Sequence, residues 1–212
     1  MGVMLNLPAA ALIERIVPKT KFYERVQIAV NVRNEFTNVI GRITWRYKIA
    51  QSTINIAPSV AVQEIQVFII ELKQRQIPHK ALAVIDKAIP YPILFVLSHG
   101  EEACYVMQHK LDGARRYYRT EWGNTPKLLF DGTSLEAIYQ RLIASFILDD
   151  SAQGVDTVSE ENFEHIVAAD TERVQLEKQI AVLENKVRNE QQFNKKVQLN
   201  MRLQELRKQL ED

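Results

Sequence analysis

One motif in the chain has the residue types of a metal-dependent nuclease site, namely Glu71 and Lys73 at the end of an apolar stretch. On a β-strand, residues i and i+2 share a face, so the carboxylate can hold a divalent ion while the lysine assists the attacking water. A nuclease of the restriction-enzyme type also needs an acidic residue from the preceding strand. The predicted preceding strand, 42–49, contains none, and Glu64 lies an odd number of residues from Glu71, on the opposite face. Because so short a motif is common by chance, the simpler interpretation is favoured, in which Glu71 and Lys73 mark the solvent-exposed end of a strand.

The densest basic cluster combines arginine with tyrosine between residues 115 and 119. Guanidinium groups contact phosphates and aromatic rings stack on bases, so the pattern suits a nucleic acid. The alternative is an ordinary edge strand that is protected by charge, since surface arginines are abundant. Basic residues of the predicted strand 42–49 can extend the cluster. The candidate nucleic-acid-binding residues are Arg115, Arg116, Tyr117, Arg119, Arg46 and Lys48.

The remaining chemistry-bearing residues predict no metal site and no cofactor. The four histidines do not lie at metal-ligand spacing from each other or from Cys104, which as the only cysteine forms no internal disulfide. No Gly-x-x-x-x-Gly-Lys segment is present, and 7 scattered glycines cannot form a dinucleotide-binding fingerprint. The incomplete catalytic constellation favours a protein that is not an enzyme.

The elements that would position these residues are typical of an α+β fold. Apolar periodicity and turn residues predict a helix over 21–40, strands over 42–49 and 64–72, a helix over 80–89, a hairpin over 93–109, a strand over 116–122 and a helix over 135–147. This order predicts a mixed or antiparallel sheet with flanking helices.

The C-terminal part differs from the rest, since residues 160–212 contain neither Gly nor Pro and predict a long coiled-coil-type helix. Its two heptad-like seams are out of phase, which allows either one continuous helix with a stutter or a hairpin or kink near residues 189–194. The continuous helix is favoured because no Gly or Pro is available for a turn. A narrow apolar seam needs a partner helix, so these residues predict an oligomer or partner interface. The interface residues are Leu176, Ile180, Leu183, Val187, Phe193, Val197, Leu199, Leu203, Leu206 and Leu210.

Composition limits the remaining classes of protein. The 212 residues are 46% hydrophobic, and 27 Lys+Arg against 26 Asp+Glu leave a net charge of +1, which excludes a disordered or histone-like polycation. The charge divides into 18 basic minus 15 acidic, or +3, for residues 1–157 and 9 minus 11, or −2, for the rest. Residues 1–13 lack a charged signal-peptide start, and no apolar run is long enough for a membrane span. We therefore expect a cytoplasmic protein with an α+β domain over 1–148, a polar linker over 149–159 and a helical arm over 160–212.

Six stretches together carry a family resemblance. They are Met4-Leu-Asn-Leu-Pro8, Ile43-Thr-Trp-Arg-Tyr-Lys48, Glu64-Ile-Gln-Val-Phe-Ile-Ile-Glu-Leu-Lys73, Ile85-Asp-Lys-Ala-Ile-Pro-Tyr-Pro-Ile-Leu-Phe95, Thr120-Glu-Trp122 and Asn189-Glu-Gln-Gln-Phe-Asn-Lys-Lys-Val-Gln-Leu-Asn200. In this order, over nearly the whole chain, they resemble the uncharacterised prokaryotic family called domain of unknown function 4391. Such proteins are often encoded beside helicases and DNA methyltransferases in restriction-like or antiphage gene clusters.

The resemblance implies an accessory, non-catalytic subunit of a DNA-processing, restriction-like or antiphage defence assembly. A helicase or DNA methyltransferase subunit is then the expected protein partner, and the C-terminal helix is expected to form a homo- or hetero-oligomer. Two alternatives remain open from the residues themselves. One is a divergent metal-dependent nuclease using Glu71 and Lys73, and the other is a nucleic-acid-binding module using the basic cluster.

Overall fold

A mixed sheet of six strands, paired in chain order, occupies the first part of the chain. The structure, a computed structural model, describes residues 5–24, 27–110, 116–148 and 154–211. The strands are β1 (Leu12–Ile16), β2 (Ile40–Ile49), β3 (Ile65–Leu72), β4 (Ile93–His99), β5 (Glu102–His109) and β6 (Arg116–Arg119). All neighbours are antiparallel except β3 and β4, which are parallel. The sheet and its helices confirm the predicted α+β class.

The described residues also form six α-helices. They are α1 (Val30–Asn34), α2 (Gln51–Ile54), α3 (His79–Ala88), α4 (Leu135–Ile147), α5 (Glu160–Asn189) and α6 (Phe193–Glu211). Helix α3 forms the crossover that the parallel β3–β4 pair requires. Helix α4 begins at Ser134, whose Oγ accepts a hydrogen bond from the Ala137 amide at 3.1 Å, as an N-cap should. The predicted helix over 135–147 is confirmed to the residue.

The two faces of the sheet are covered differently. Alternate residues of β3 and β4, such as Phe68, Ile70 and Phe95, pack into the main core together with Phe36 of the π-helical turn Glu35–Val39 and with α3. Helix α4 lies on the opposite face, where Tyr139 stacks on His109 of β5. Among the described residues, part of that second face is not covered by α4, and it forms a cavity.

The predicted helix over 21–40 is wrong as a single element. The segment contains a 3-10 turn, Lys19–Phe22, then α1, then the π-helical turn Glu35–Val39. Ala29, immediately before α1, has an extended backbone, and the valines that follow have low helix propensity because their χ1 angles are restricted. Phe22 and Phe36 still reach the core, as the apolar pattern indicates, but from separate short pieces.

Strand β1 is absent from the sequence prediction. Its pairing with β2 is interrupted by a bulge, and Glu14 within the bulge has a φ of 50°. An inserted residue in the left-handed region destroys the strict alternation by which a strand is recognised in sequence.

The C-terminal segment is a helical hairpin, so the favoured continuous helix is wrong and the alternative of a hairpin near 189–194 is right. Ile180 of α5 packs against Leu203 and Leu206 of α6. Arg207 of α6 also forms an ion pair with Glu184 of α5 at 2.7 Å, whereas one straight helix would separate these two residues by about 35 Å. The turn at 190–192 contains neither Gly nor Pro. Hydrogen bonds from the Glu190 amide to the Lys186 carbonyl and from the Gln192 amide to the Glu190 carboxylate hold it.

The described chain divides into two compact units, Met1–Glu160 and Glu161–Asp212. Part of the predicted linker, residues 149–153, lies outside the described residues, and its remainder includes the 3-10 turn Val155–Thr157. No helix of the described part of the chain is both long enough and apolar enough to cross a membrane.

Candidate functional site

A cavity of about 600 Å³ opens on the uncovered part of the sheet, at the carboxyl ends of β3 and β4. Ligands of open sheets often bind at such ends. The cavity contains Glu71, the acidic member of the candidate nuclease motif. The lining residues are Glu14, Ile16, Arg42, Thr44, Arg46, Ile69, Glu71, Leu72, Ser98 and Gly100.

Each glutamate of this cavity is held by an arginine. Arg42 Nε donates to Glu71 Oε1 at 2.9 Å, and its Nη2 contacts the same oxygen. Arg46 forms an ion pair with Glu14, so β1 supplies a second carboxylate that the sequence pattern did not place here. Two carboxylates that are each neutralised by a guanidinium form a poor site for a divalent cation, because the cation would have to displace both arginines. Among the described residues, no group of three or more His, Cys, Asp or Glu side chains is arranged to hold a metal ion.

Lys73, the basic member of the motif, does not join Glu71 in the cavity. Strand β3 ends at Leu72, so the rule that residues i and i+2 share a face does not extend to Lys73. Lys73 Nζ instead donates to the Thr37 carbonyl at 2.7 Å, and its amide donates to the Val39 carbonyl. These contacts satisfy carbonyls at the end of the π-helical turn, which packs on the opposite face of the sheet. The lysine therefore acts as a helix cap.

A second lysine acts at the same helix end. Lys19 Nζ donates to the Ile40 carbonyl at 2.9 Å. Burial, and secondarily the positive charge of Lys73, lower the pKa of Lys19 below its usual value. The two ammonium groups therefore repel each other, although each binds a carbonyl of the same segment.

The basic candidates form two separate sets. Arg46 and Lys48 lie on β2, and Lys48 forms an ion pair with Glu64 at 2.6 Å. Arg116 and Arg119 lie on β6, four strand spacings or about 19 Å across the sheet. The structure therefore does not join the two sets into one patch. Arg115 lies outside the described residues.

Within the β6 set, the side chains are partly engaged by the protein itself. The guanidinium of Arg116 lies 4.7 Å from the centre of the Tyr118 ring, and the Tyr117 hydroxyl donates to the Asp86 carboxylate. Arg119 is exposed. A nucleic-acid surface here stays a prediction.

Asp86 belongs to a buried polar cluster that sequence reasoning missed. Its carboxylate contacts Lys110 Nζ at 3.2 Å and lies in a cavity of about 650 Å³ with Gln108 and Tyr117. Lys110 Nζ also donates to the carbonyls of Tyr91 at 2.7 Å and Ile89 at 3.2 Å, at the carboxyl end of α3. A signal was present in the sequence, because Asp86 occupies the apolar face of its helix beside Ile85.

The predicted interface residues divide between the interior and the surface of the hairpin. Ile180, Leu203 and Leu206 are buried, with Leu176 and Leu183 packed against them. Val187 and Leu199 are half-buried, whereas Phe193, Val197 and Leu210 are exposed. Much of the seam therefore packs inside the hairpin itself, and its remaining apolar residues face solvent.

A groove of about 840 Å³ lies between α5 and α6 close to the turn. Val182 is its most exposed apolar residue, with 55% of its surface accessible. The lining residues are Val182, Asn185, Lys186, Asn189, Glu190, Lys195, Gln198 and Leu199.

Comparison with known proteins gives a family but no activity. A family model described as "Domain of unknown function (DUF4391)" matches residues 5–210, which confirms the resemblance in the sequence. No curated protein and no solved structure matches the chain.

Proposed function

The chain belongs to the DUF4391 family, and we propose that it is an accessory, non-catalytic subunit of a DNA-processing, restriction-like or antiphage defence assembly. In this role the helical hairpin binds partner proteins and also joins copies of the chain. The observation that carries the proposal is the groove between α5 and α6, where Val182 is exposed although the hairpin's own seam is already packed.

The groove fits one amphipathic helix of a partner. Helix-in-groove recognition places apolar side chains of the guest against an apolar floor, and Val182 and Leu199 supply that floor. Lys186 and Lys195 line it against a single acidic residue, Glu190, which favours a guest helix with acidic residues beside its apolar stripe. We assign this helix to a helicase or DNA methyltransferase subunit of the same assembly.

The sheet cavity supports a non-catalytic role. Its two carboxylates are paired with Arg42 and Arg46, and Lys73 is used as a helix cap. The arrangement therefore lacks a free carboxylate pair with a nearby lysine, which is the set that metal-dependent hydrolysis would use.

Co-purification tests the proposal. The full-length protein would be co-expressed with a helicase subunit and with a DNA methyltransferase subunit of the proposed assembly, and complexes would be isolated and their affinity measured. Val182→Asp buries a charge in the docked groove, so we expect affinity to fall at least tenfold.

Val60→Asp is the matched control, because Val60 is fully exposed in the other unit, and it should leave affinity unchanged. A partner that binds the Val182→Asp and wild-type proteins equally, or the absence of any complex with these subunits, would contradict the proposal.

A further inference from the structure

Helix α6 has a second apolar surface, on the side away from the hairpin interior. Phe193, Val197 and Met201 recur at steps of four and are 78%, 42% and 64% exposed. On an ideal helix Val197, the middle of this stripe, lies about 150° from the midpoint between the seam residues Leu203 and Leu206. We call the surface of Phe193, Asn194, Val197, Asn200 and Met201 the outer face of α6.

The outer face carries no charge, although α6 as a whole is basic. Residues 193–211 contain 5 basic and 2 acidic residues, a net +3. Between residues 193 and 204, however, the charged residues Lys195, Lys196 and Arg202 all project from the rest of the helix circumference, outside a sector about 160° wide. Like charges oppose self-association, so this uncharged sector is the surface through which a +3 helix can meet its own copy.

The outer face is also symmetric about Val197. Phe193 and Met201 lie equally far before and after it, by four residues, and about 40° to either side. Asn194 and Asn200 flank it in the same way, three residues before and after and about 60° to either side. When two copies pair antiparallel with Val197 at the same height, apolar residues therefore share a layer with apolar residues and amides share a layer with amides.

From this symmetry we propose that the outer face of α6 binds the same face of a second copy, antiparallel, with the two-fold axis at Val197. Phe193 then lies opposite Met201 of the other copy, a favourable aromatic–sulfur contact, and Asn194 lies opposite Asn200, where each amide can both donate and accept. The proposal specifies the self-association that is part of the proposed function and to that extent rests on it. It uses a different surface from the partner groove.

The size of the outer face sets the strength of the pairing. Only three apolar side chains per copy take part, whereas stable interfaces use about 20–30 residues a side. The dimer is therefore weak and its population rises with protein concentration, with a dissociation constant on the order of 10–100 µM.

Disulfide trapping in the full chain tests the register. Val197→Cys places two thiols on the proposed two-fold axis, so mild oxidation should yield a covalent dimer. The native Cys104 is buried, and burial raises the pKa of its thiol, so it does not compete. Met201→Cys is the register control, since its two thiols would lie about 12 Å apart along the helix and should cross-link at least tenfold more slowly.

Gln209→Cys is the surface control, an exposed position away from the outer face, and should also cross-link slowly. The proposal is overturned if Val197→Cys cross-links no faster than Gln209→Cys, or if Met201→Cys is the fastest of the three.

Sedimentation equilibrium separates this proposal from the partner groove. Met201→Asp should abolish the concentration-dependent rise in mass, whereas Val182→Asp should leave it intact. If Met201→Asp and wild type have the same mass at every concentration, the dimer proposal fails whatever the partner assay gives. If the dimer forms but no partner binds, the adaptor role fails and the dimer remains.

Discussion

Lys110 is held by several protein groups at once. Its ammonium contacts the Asp86 carboxylate and the carbonyls of Ile89 and Tyr91, at the carboxyl end of α3. Unsatisfied carbonyls accumulate at that end of a helix and attract a cation. The Asp86 side chain is only 3% exposed, so Lys110 supplies a positive charge to a carboxylate that water hardly reaches. The cluster is therefore expected to stabilise the fold rather than to bind a ligand.

Lys110→Met tests this role. Removing the cation from a buried ion pair leaves the carboxylate poorly compensated, so we expect the free energy of unfolding to fall by about 3 kcal/mol. Urea unfolding followed by the fluorescence of Trp45 and Trp122 measures the change. Lys87→Met is the matched control, since Lys87 lines the same cavity but is exposed, and it should change stability by less than about 0.5 kcal/mol. Equal effects of the two substitutions would show that Lys110 has no such role.

Glu71 decides between the adaptor and the nuclease. With its carboxylate paired to Arg42, we expect no magnesium- or manganese-dependent cleavage of DNA by the wild-type protein or by Glu71→Ala. The pair is half exposed, so Glu71→Ala should lower the free energy of unfolding by no more than about 1 kcal/mol. Metal-dependent cleavage by the wild type that Glu71→Ala abolishes, and that Glu102→Ala leaves unchanged, would establish the nuclease instead.

At the scale of single elements, the sequence predicts best where one physical signal acts alone. The apolar run of β3 and the periodic stripe of α4 identify those elements because burial dominates both. Prediction fails where backbone geometry overrides the pattern, as at the bulge of β1 around Glu14. It fails again between residues 21 and 40, where the apolar residues recur at helical spacing but belong to separate short helical pieces.

The candidate site is less predictable than the fold for a related reason. The residue types Glu71 and Lys73 can be recognised in the sequence. Because β3 ends at Leu72, however, Glu71 lies in the sheet cavity whereas Lys73 binds the Thr37 carbonyl. The pairing of Glu71 with Arg42 depends on strand register, which two bulges in the β2–β3 ladder adjust. Spacing along one chain does not encode such contacts between strands.

The hairpin turn at 190–192 is expected to bring α5 and α6 together in solution. Spin labels would be attached to the variant Glu184→Cys/Arg207→Cys. Pulsed electron–electron double resonance should place them less than about 25 Å apart, because the native residues form an ion pair across the hairpin. A continuous helix would separate their backbones by about 35 Å. The pair Glu164 and Glu184 is the control, since both lie within α5 and should remain about 30 Å apart in either case. A distance near 35 Å for the first pair would rule out the hairpin in solution.

At the scale of the whole molecule, the net charge of +1 describes neither unit. It is the sum of +2 for residues 1–160, with 18 basic and 16 acidic residues, and −1 for residues 161–212, with 9 basic and 10 acidic residues. The two helices of the hairpin also carry opposite net charges. Helix α5 has 4 basic and 7 acidic residues, whereas α6 has 5 basic and 2 acidic residues. This opposition of −3 and +3 stabilises the antiparallel packing of the two helices.

The two compact units imply that fold and docking are separable, and a chain ending at Glu160 tests this. The larger unit has its own core, which includes Phe36, Ile85 and Phe95, so we expect its thermal midpoint to stay within about 3 °C of the full chain. The truncated chain should lose both partner binding and the concentration-dependent mass, because the groove and the outer face of α6 are removed. Circular dichroism, co-purification and sedimentation measure these three properties. A truncated chain that still binds the partner would place the docking surface on the sheet domain, and one that fails to fold would show that the hairpin is part of the domain's stability.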